Sequence, residues 1–181
     1  MMNLPNILTI TRVLLIPFFI IFFYQPSKMS SVIAASIFTI ASFTDILDGY
    51  FARLRSEVTQ FGKILDPVAD KLLIVSALIL LVGDKRVPAW IAIIIIGREF
   101  AVTGFRAVAA SEGVVIAAES TGKYKTFLQI VAIIFLTVDF TSETYHHIGR
   151  FLLFVSMILA LFSAGQYFVK FGRRVKSLKT K

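Results

Sequence analysis

The chain has 181 residues, 57% of them hydrophobic, with a mean hydropathy of +0.82 and a formal net charge of +8. Soluble globular domains carry about 45–50% apolar residues, so this excess excludes an ordinary water-soluble domain. There is no Cys, which excludes disulfides, thiolate metal sites and a cysteine nucleophile.

A transmembrane helix uses about 20 residues, so the length supplies about six spans and little else. Apolar runs fall at Ile7–Tyr24, Ser31–Arg53, Asp66–Val82, Val87–Ala110, Tyr124–Phe140 and Ile148–Phe171. Breakers separate them: Gln25-Pro26-Ser27, Gly83-Asp84-Lys85, Pro88, Ser111-Glu112-Gly113 and Thr141-Ser142-Glu143. No segment shows the ten-residue alternation of a membrane barrel. The expected class is all-α: a polytopic membrane protein with six transmembrane helices in a single domain over residues 1–181.

The first run has no Lys or Arg before Arg12 and no A-x-A-like cleavage site after it, so it reads as a retained span rather than a signal peptide. Charge sets the expected orientation. With the N-terminus inside, the inner connections hold Arg53, Arg55, Lys63, Lys123 and Lys125, and residues 170–181 form a basic cytoplasmic tail. The outer connections hold only Lys28, Lys85, Arg86 and Arg150, so both termini are expected in the cytoplasm. The tail reads as a topology anchor at an anionic leaflet, and Tyr24 and Trp90 as interfacial anchors.

Ionised groups inside spans are costly, about 2.5–3.5 kcal/mol for a central Asp or Arg on insertion scales. Two stretches break the pattern: Thr44 to Arg53 at the end of span two, and Gly62 to Lys71 at the start of span three. At 100° per residue, Asp45 and Asp48 lie about 60° apart and Asp66 and Asp70 about 40° apart. On antiparallel neighbours the four carboxylates converge at one depth near the cytoplasmic surface. Four anions in a low dielectric need a cation, and an all-oxygen donor set selects Mg²⁺ or Mn²⁺. Four carboxylates can hold two such ions, the arrangement that serves phosphoryl transfer. Gly49, Ala52 and Gly62 leave room beside them for a bulky ligand, and Arg53 is placed to pair with a diphosphate. Small residues alone would equally serve close helix packing.

Asp45-x2-Asp48-Gly49-x2-Ala52-Arg53-x8-Gly62-x3-Asp66-x3-Asp70 resembles the signature of the CDP-alcohol phosphotransferase family. The segments Asn3–Arg12, Gly97–Arg106 and Gly122–Thr126 are similar to a bacterial branch of it, the phosphatidylglycerophosphate synthases. The resemblance implies a six-helix membrane fold, a homodimer, and displacement of CMP from CDP-diacylglycerol by sn-glycerol 3-phosphate in the bacterial inner membrane. It implies that Asp45, Asp48 and Asp66 hold one metal ion and Asp45, Asp66 and Asp70 a second, with Asp70 also the base. Gly49, Arg53 and Thr59 would contact the nucleotide and its diphosphate, with Asn6 and Thr9 contributing.

Arg98, Glu99 and Arg106 form the second group of charges within a span. Glu99 and Arg106 share nearly one face, and Arg98 lies about 80° from Arg106. With Lys123 and Lys125 they suggest a pocket for an acceptor phosphate. Against that, Glu99 could simply neutralise an Arg, and the two Lys could be positive-inside anchors. The rival acceptors are inositol phosphate and phosphatidylglycerol. A small cation or solute transporter is the rival of another class, less well matched because the carboxylates sit on one helix pair. Lipids of the bilayer are the remaining expected partners, and nothing points to nucleic acid.

Overall fold

The computed structural model describes residues 4–55, 60–111, 121–139 and 143–179, and side chains at 7–44, 68–69, 71–110, 124–139 and 143–169. They form six helices: α1 (Leu4–Tyr24), α2 (Lys28–Arg55), α3 (Gln60–Gly83), α4 (Ala89–Ser111), α5 (Thr121–Thr137) and α6 (Glu143–Lys179). No strand occurs among the described residues.

The stops follow local chemistry. Gln25 and Pro26 separate α1 from α2, and the Ser27 carbonyl accepts the Ser31 N–H at 3.0 Å as α2 begins. After α3 the Arg86 N–H bonds back to Leu81 O and the Lys85 N–H to Val82 O, with Lys85 at φ 59°. That is a Schellman closure with Lys at the left-handed position that glycine usually fills. Two helices outrun their apolar cores. α2 starts at Lys28 and α6 at Glu143, and α6 stays helical through the basic residues to Lys179. Arg and Lys are good helix formers, so hydrogen bonding continues where the oily run ends.

α1 packs on α2 and α3, α5 on α6, and α4 on α6, with α2 and α3 both touching α5. The core lies between the first three helices and α5, with Phe19, Phe38, Leu78, Leu81, Ile133 and Leu136 all but fully buried. The Phe19 and Phe38 rings meet at 5.7 Å. Ala34, Ala41, Ala77, Ala92 and Ala132 are buried between helices, where small side chains let backbones approach.

The outward surface is apolar. Leu14, Phe18, Ile40, Phe43, Ile79, Ile93, Phe127 and Phe151, from all six helices, are each more than half exposed. Apolar surface on every side suits a hydrocarbon solvent rather than water. Among the described residues two helical segments, Ile7–Tyr24 and Glu143–Val169, are long and apolar enough to cross a membrane; Lys28–Thr44, Lys71–Gly83 and Tyr124–Thr137 are shorter apolar stretches.

One end of the bundle gathers three connections. Arg86 donates to the carbonyls of Leu136 (2.9 Å) and Thr137 (3.2 Å), and the Asp139 N–H donates to Ser31 Oγ at 2.9 Å. His146 Nε2 lies 3.1 Å from Val138 O at this same end. By helix alternation, the C-terminal ends of α2 and α4 and the N-terminal ends of α3 and α5 lie at the opposite end.

Candidate active site

The four sequence-derived aspartates lie on two helices. Asp45 and Asp48 stand in the C-terminal part of α2, with Gly49, Ala52 and Arg53, and Asp66 and Asp70 in the N-terminal part of α3, with Gly62. Both segments adjoin the connection 56–59, at the end of the bundle away from Arg86. The side chains of these residues, and of Asn6 and Lys123, lie outside the described ones, as does Thr59 altogether. Among the described residues no group of three or more His, Cys, Asp or Glu comes together.

Just inside the bundle from these segments is a cavity of about 240 Å³. Five helices wall it: Arg12 from α1, Ser42 from α2, Lys71 from α3, Glu99 from α4, and Thr126 and Gln129 from α5, with Ile74 and Ile95 among its apolar lining. Ser42 precedes Asp45 by one helical turn, and Lys71 directly follows Asp70. A second cavity, of about 300 Å³, lies among the connections at the opposite end, near Arg86 and Asp139.

The electrostatics centre on Glu99. Its Oε1 accepts from Arg98 Nη1 at 2.8 Å and from Lys125 Nζ. The Arg98 and Lys125 side chains are both only 8% exposed, so the carboxylate is shared between two nearly buried cations. Arg98 Nε also donates to Ala160 O at 2.9 Å, tying α4 to α6. Arg106 turns elsewhere: its guanidinium stacks over the Tyr167 ring at 5.7 Å from the centroid. The structure thus joins Arg98 and Lys125 through Glu99 and leaves Arg106 apart from them, on the exposed α4–α6 seam. Thr9 is buried, one turn before Arg12 on the same face of α1.

Arg12 is 1% exposed, within an apolar helix. A buried ionisable group at such depth marks function by default. Sequence reasoning passed over Arg12, Lys71 and Gln129 as site residues. The signal was present, because Arg12 interrupts an apolar run and Gln129 shares a helix face with Lys125 four residues earlier.

A sequence model of the CDP-alcohol phosphatidyltransferase family matches residues 2–165, a span that contains the four aspartates and all the cavity-lining residues. The chain is 41% identical to the CDP-diacylglycerol–glycerol-3-phosphate 3-phosphatidyltransferase of Bacillus subtilis, over 98% of this chain and 99% of the relative. The enzyme of the same name from Haemophilus influenzae is 43% identical over 91% of each chain. That of Rickettsia bellii is 37% identical over 92% of this chain and 93% of its own.

Proposed function

The chain belongs to the CDP-alcohol phosphatidyltransferase family, and we propose that it transfers the phosphatidyl group of CDP-diacylglycerol to sn-glycerol 3-phosphate, releasing CMP. Relatives named for that reaction match it over nearly their whole length. The geometry that carries the reading is the small cavity beside the α2–α3 aspartate segments, with Arg12 and Lys71 in its wall and the Arg98–Glu99–Lys125 cluster at its edge. A small anionic alcohol fits such a place better than serine, choline or ethanolamine would.

The donor set suits a hard divalent ion, because Asp45, Asp48, Asp66 and Asp70 offer oxygen alone from two adjoining helix segments. Asp45, Asp48 and Asp66 would hold one ion, and Asp45, Asp66 and Asp70 the other. Bound there, Mg²⁺ or Mn²⁺ supplies charge neutralisation for the donor's diphosphate, which makes CMP a better leaving group. Arg53, Gly49, Ala52, Thr59 and Gly62 receive the nucleotide and diphosphate, with Asn6 and Thr9 from α1. Asp70 takes the proton of the acceptor hydroxyl as its oxygen attacks the phosphorus bearing diacylglycerol. The bond from that phosphorus to the CMP oxygen breaks, and no protein nucleophile is needed. Lys125 and Arg98, with Lys123 and Arg106 in the same helices, make the acceptor side electropositive.

All six helices cross the inner membrane of a bacterium in this reading, with the termini and the aspartates at the cytoplasmic face. The basic residues around 53–63, 123–125 and 170–181 support that orientation. The enzyme works as a homodimer in the lipid bilayer.

Purified protein in detergent, given CDP-diacylglycerol with Mg²⁺ or Mn²⁺, should release CMP when sn-glycerol 3-phosphate is added. Release with inositol phosphate or phosphatidylglycerol alone would overturn the acceptor. Release with none of them would overturn the activity.

A further inference from the structure

Polar contacts at the far end of the bundle fasten both aspartate-bearing helices to one turn. Arg86, three residues past α3, is locked to that helix by its N–H on Leu81 O at 2.9 Å. Its Nη1 donates to the carbonyls of Leu136 and Thr137 in the last turn of α5, and its Nε to Asp84 Oδ2. Ser31, in the first turn of α2, accepts the Asp139 N–H two residues after α5 ends. The helices that carry Asp45 and Asp48, and Asp66 and Asp70, are thus both held at their far ends by residues 136–139.

This fastening does what the packing does not. Among the described residues α2 and α3 each pack broadly on α1 and only sparingly on each other. Those contacts with α1 are apolar, as where Phe19 meets Phe38, and apolar attraction is non-directional, so it resists sliding along a helix axis poorly. A hydrogen bond is directional and holds its two heavy atoms within a narrow range of distance. Leu136 and Thr137 are all but fully buried, so water has little access to replace Arg86 at the end of α5. From Ser31 to Asp45 is about 21 Å of helix, and from Asp70 to Gly83 about 20 Å, so an axial position set at one end is carried to the other.

We infer that Arg86 and Ser31 are positioning residues: by pinning α3 and α2 to the last turn of α5, they fix the axial register of Asp66 and Asp70 against Asp45 and Asp48. The inference rests on the proposed phosphatidyl transfer at these aspartates. A slip of one residue along either helix moves its carboxylates by about 1.5 Å, and a misplacement of about 1 Å from a distant change can slow a reaction about a hundredfold.

The chain has no Cys, so spin labels at Phe43→Cys on α2 and Leu72→Cys on α3, both exposed positions, report the register without reference to activity. In protein diluted with unlabelled chain, the pair should give one narrow distance. Arg86→Met and Ser31→Ala should each shift or broaden it, lower turnover about tenfold or more, and raise the Mg²⁺ needed for half-maximal rate. Arg86→Lys, which keeps the charge but not the planar fork of donors, should fall between, and Ser31→Thr should match the wild type. If Arg86→Met does not fold, Ser31→Ala carries the same prediction by removing a single oxygen. Unchanged label distances in the folded variants would overturn the inference. So would a lower unfolding temperature with turnover and Mg²⁺ dependence unchanged, the result expected of a purely structural clamp. A wild type inactive with sn-glycerol 3-phosphate would overturn the proposed function itself, while the label distances would still decide the register.

Discussion

At Glu99 one carboxylate serves two nearly buried cations, and its removal is more damaging than its charge alone suggests. In Glu99→Gln, Arg98 and Lys125 would face each other with no anion between them, and two charge-assisted bonds would be lost. Hydrogen bonds to charged groups contribute about 1.5–3 kcal/mol, and burial of the cations keeps the loss from being screened away. The variant should therefore unfold at lower temperature in detergent, while Glu99→Asp should lose less; an unaltered midpoint for Glu99→Gln would contradict the role. The presence of charges at 98, 99 and 125 was legible from the sequence, because each interrupts an apolar stretch. Their pairing was not. Helical periodicity assigns a residue to a face, and nothing in it says that the face of α4 bearing Glu99 meets a Lys 26 positions later on α5. The same limit explains Arg106, which shares a face with Glu99 by angle yet stacks on Tyr167 of α6.

Among the helices, α5 and α6 approach closely at Gly149. A Cβ on Gly149 would lie 2.8 Å from Leu136 Cγ and 3.2 Å from Phe135 Cβ, whereas one on Gly165 would meet nothing within 4 Å. Leu136 is fully buried and has little freedom to withdraw. Gly149→Ala should thus cost about 1–3 kcal/mol, the usual range for overpacking, and Gly165→Ala should be neutral or slightly stabilising in the same thermal assay. Equal behaviour of the two variants would contradict the close approach. Element identity was readable from composition, since runs of apolar residues ended by Pro, Gly and Ser clusters gave six helices in the observed order. Element ends were less so. The polar start of α2 and the basic end of α6 carry no hydropathy signal, although the backbone ladder runs straight through them.

At the scale of the whole molecule the two ends of the bundle differ. Arg86, the left-handed Lys85 and the Ser31–Asp139 bond tie the connections together at one end. The aspartate segments of α2 and α3 adjoin the other end, with the polar cavity beside them. The aspartate pattern itself was plain in the sequence, because fixed spacing on two adjoining helices is a property of the chain. The cavity was not, because its wall takes one or two residues from each of five helices. The proposed work of these aspartates is transfer of the phosphatidyl group to a glycerol phosphate. The most direct test follows radiolabelled sn-glycerol 3-phosphate into the lipid extract and measures CMP alongside, with wild-type protein and Asp70→Asn. Label in lipid should equal CMP released, vanish with a chelator and return with Mg²⁺ or Mn²⁺, and fall about a hundredfold or more in Asp70→Asn. CMP released while the label stays in water, or near-normal turnover in Asp70→Asn, would contradict it.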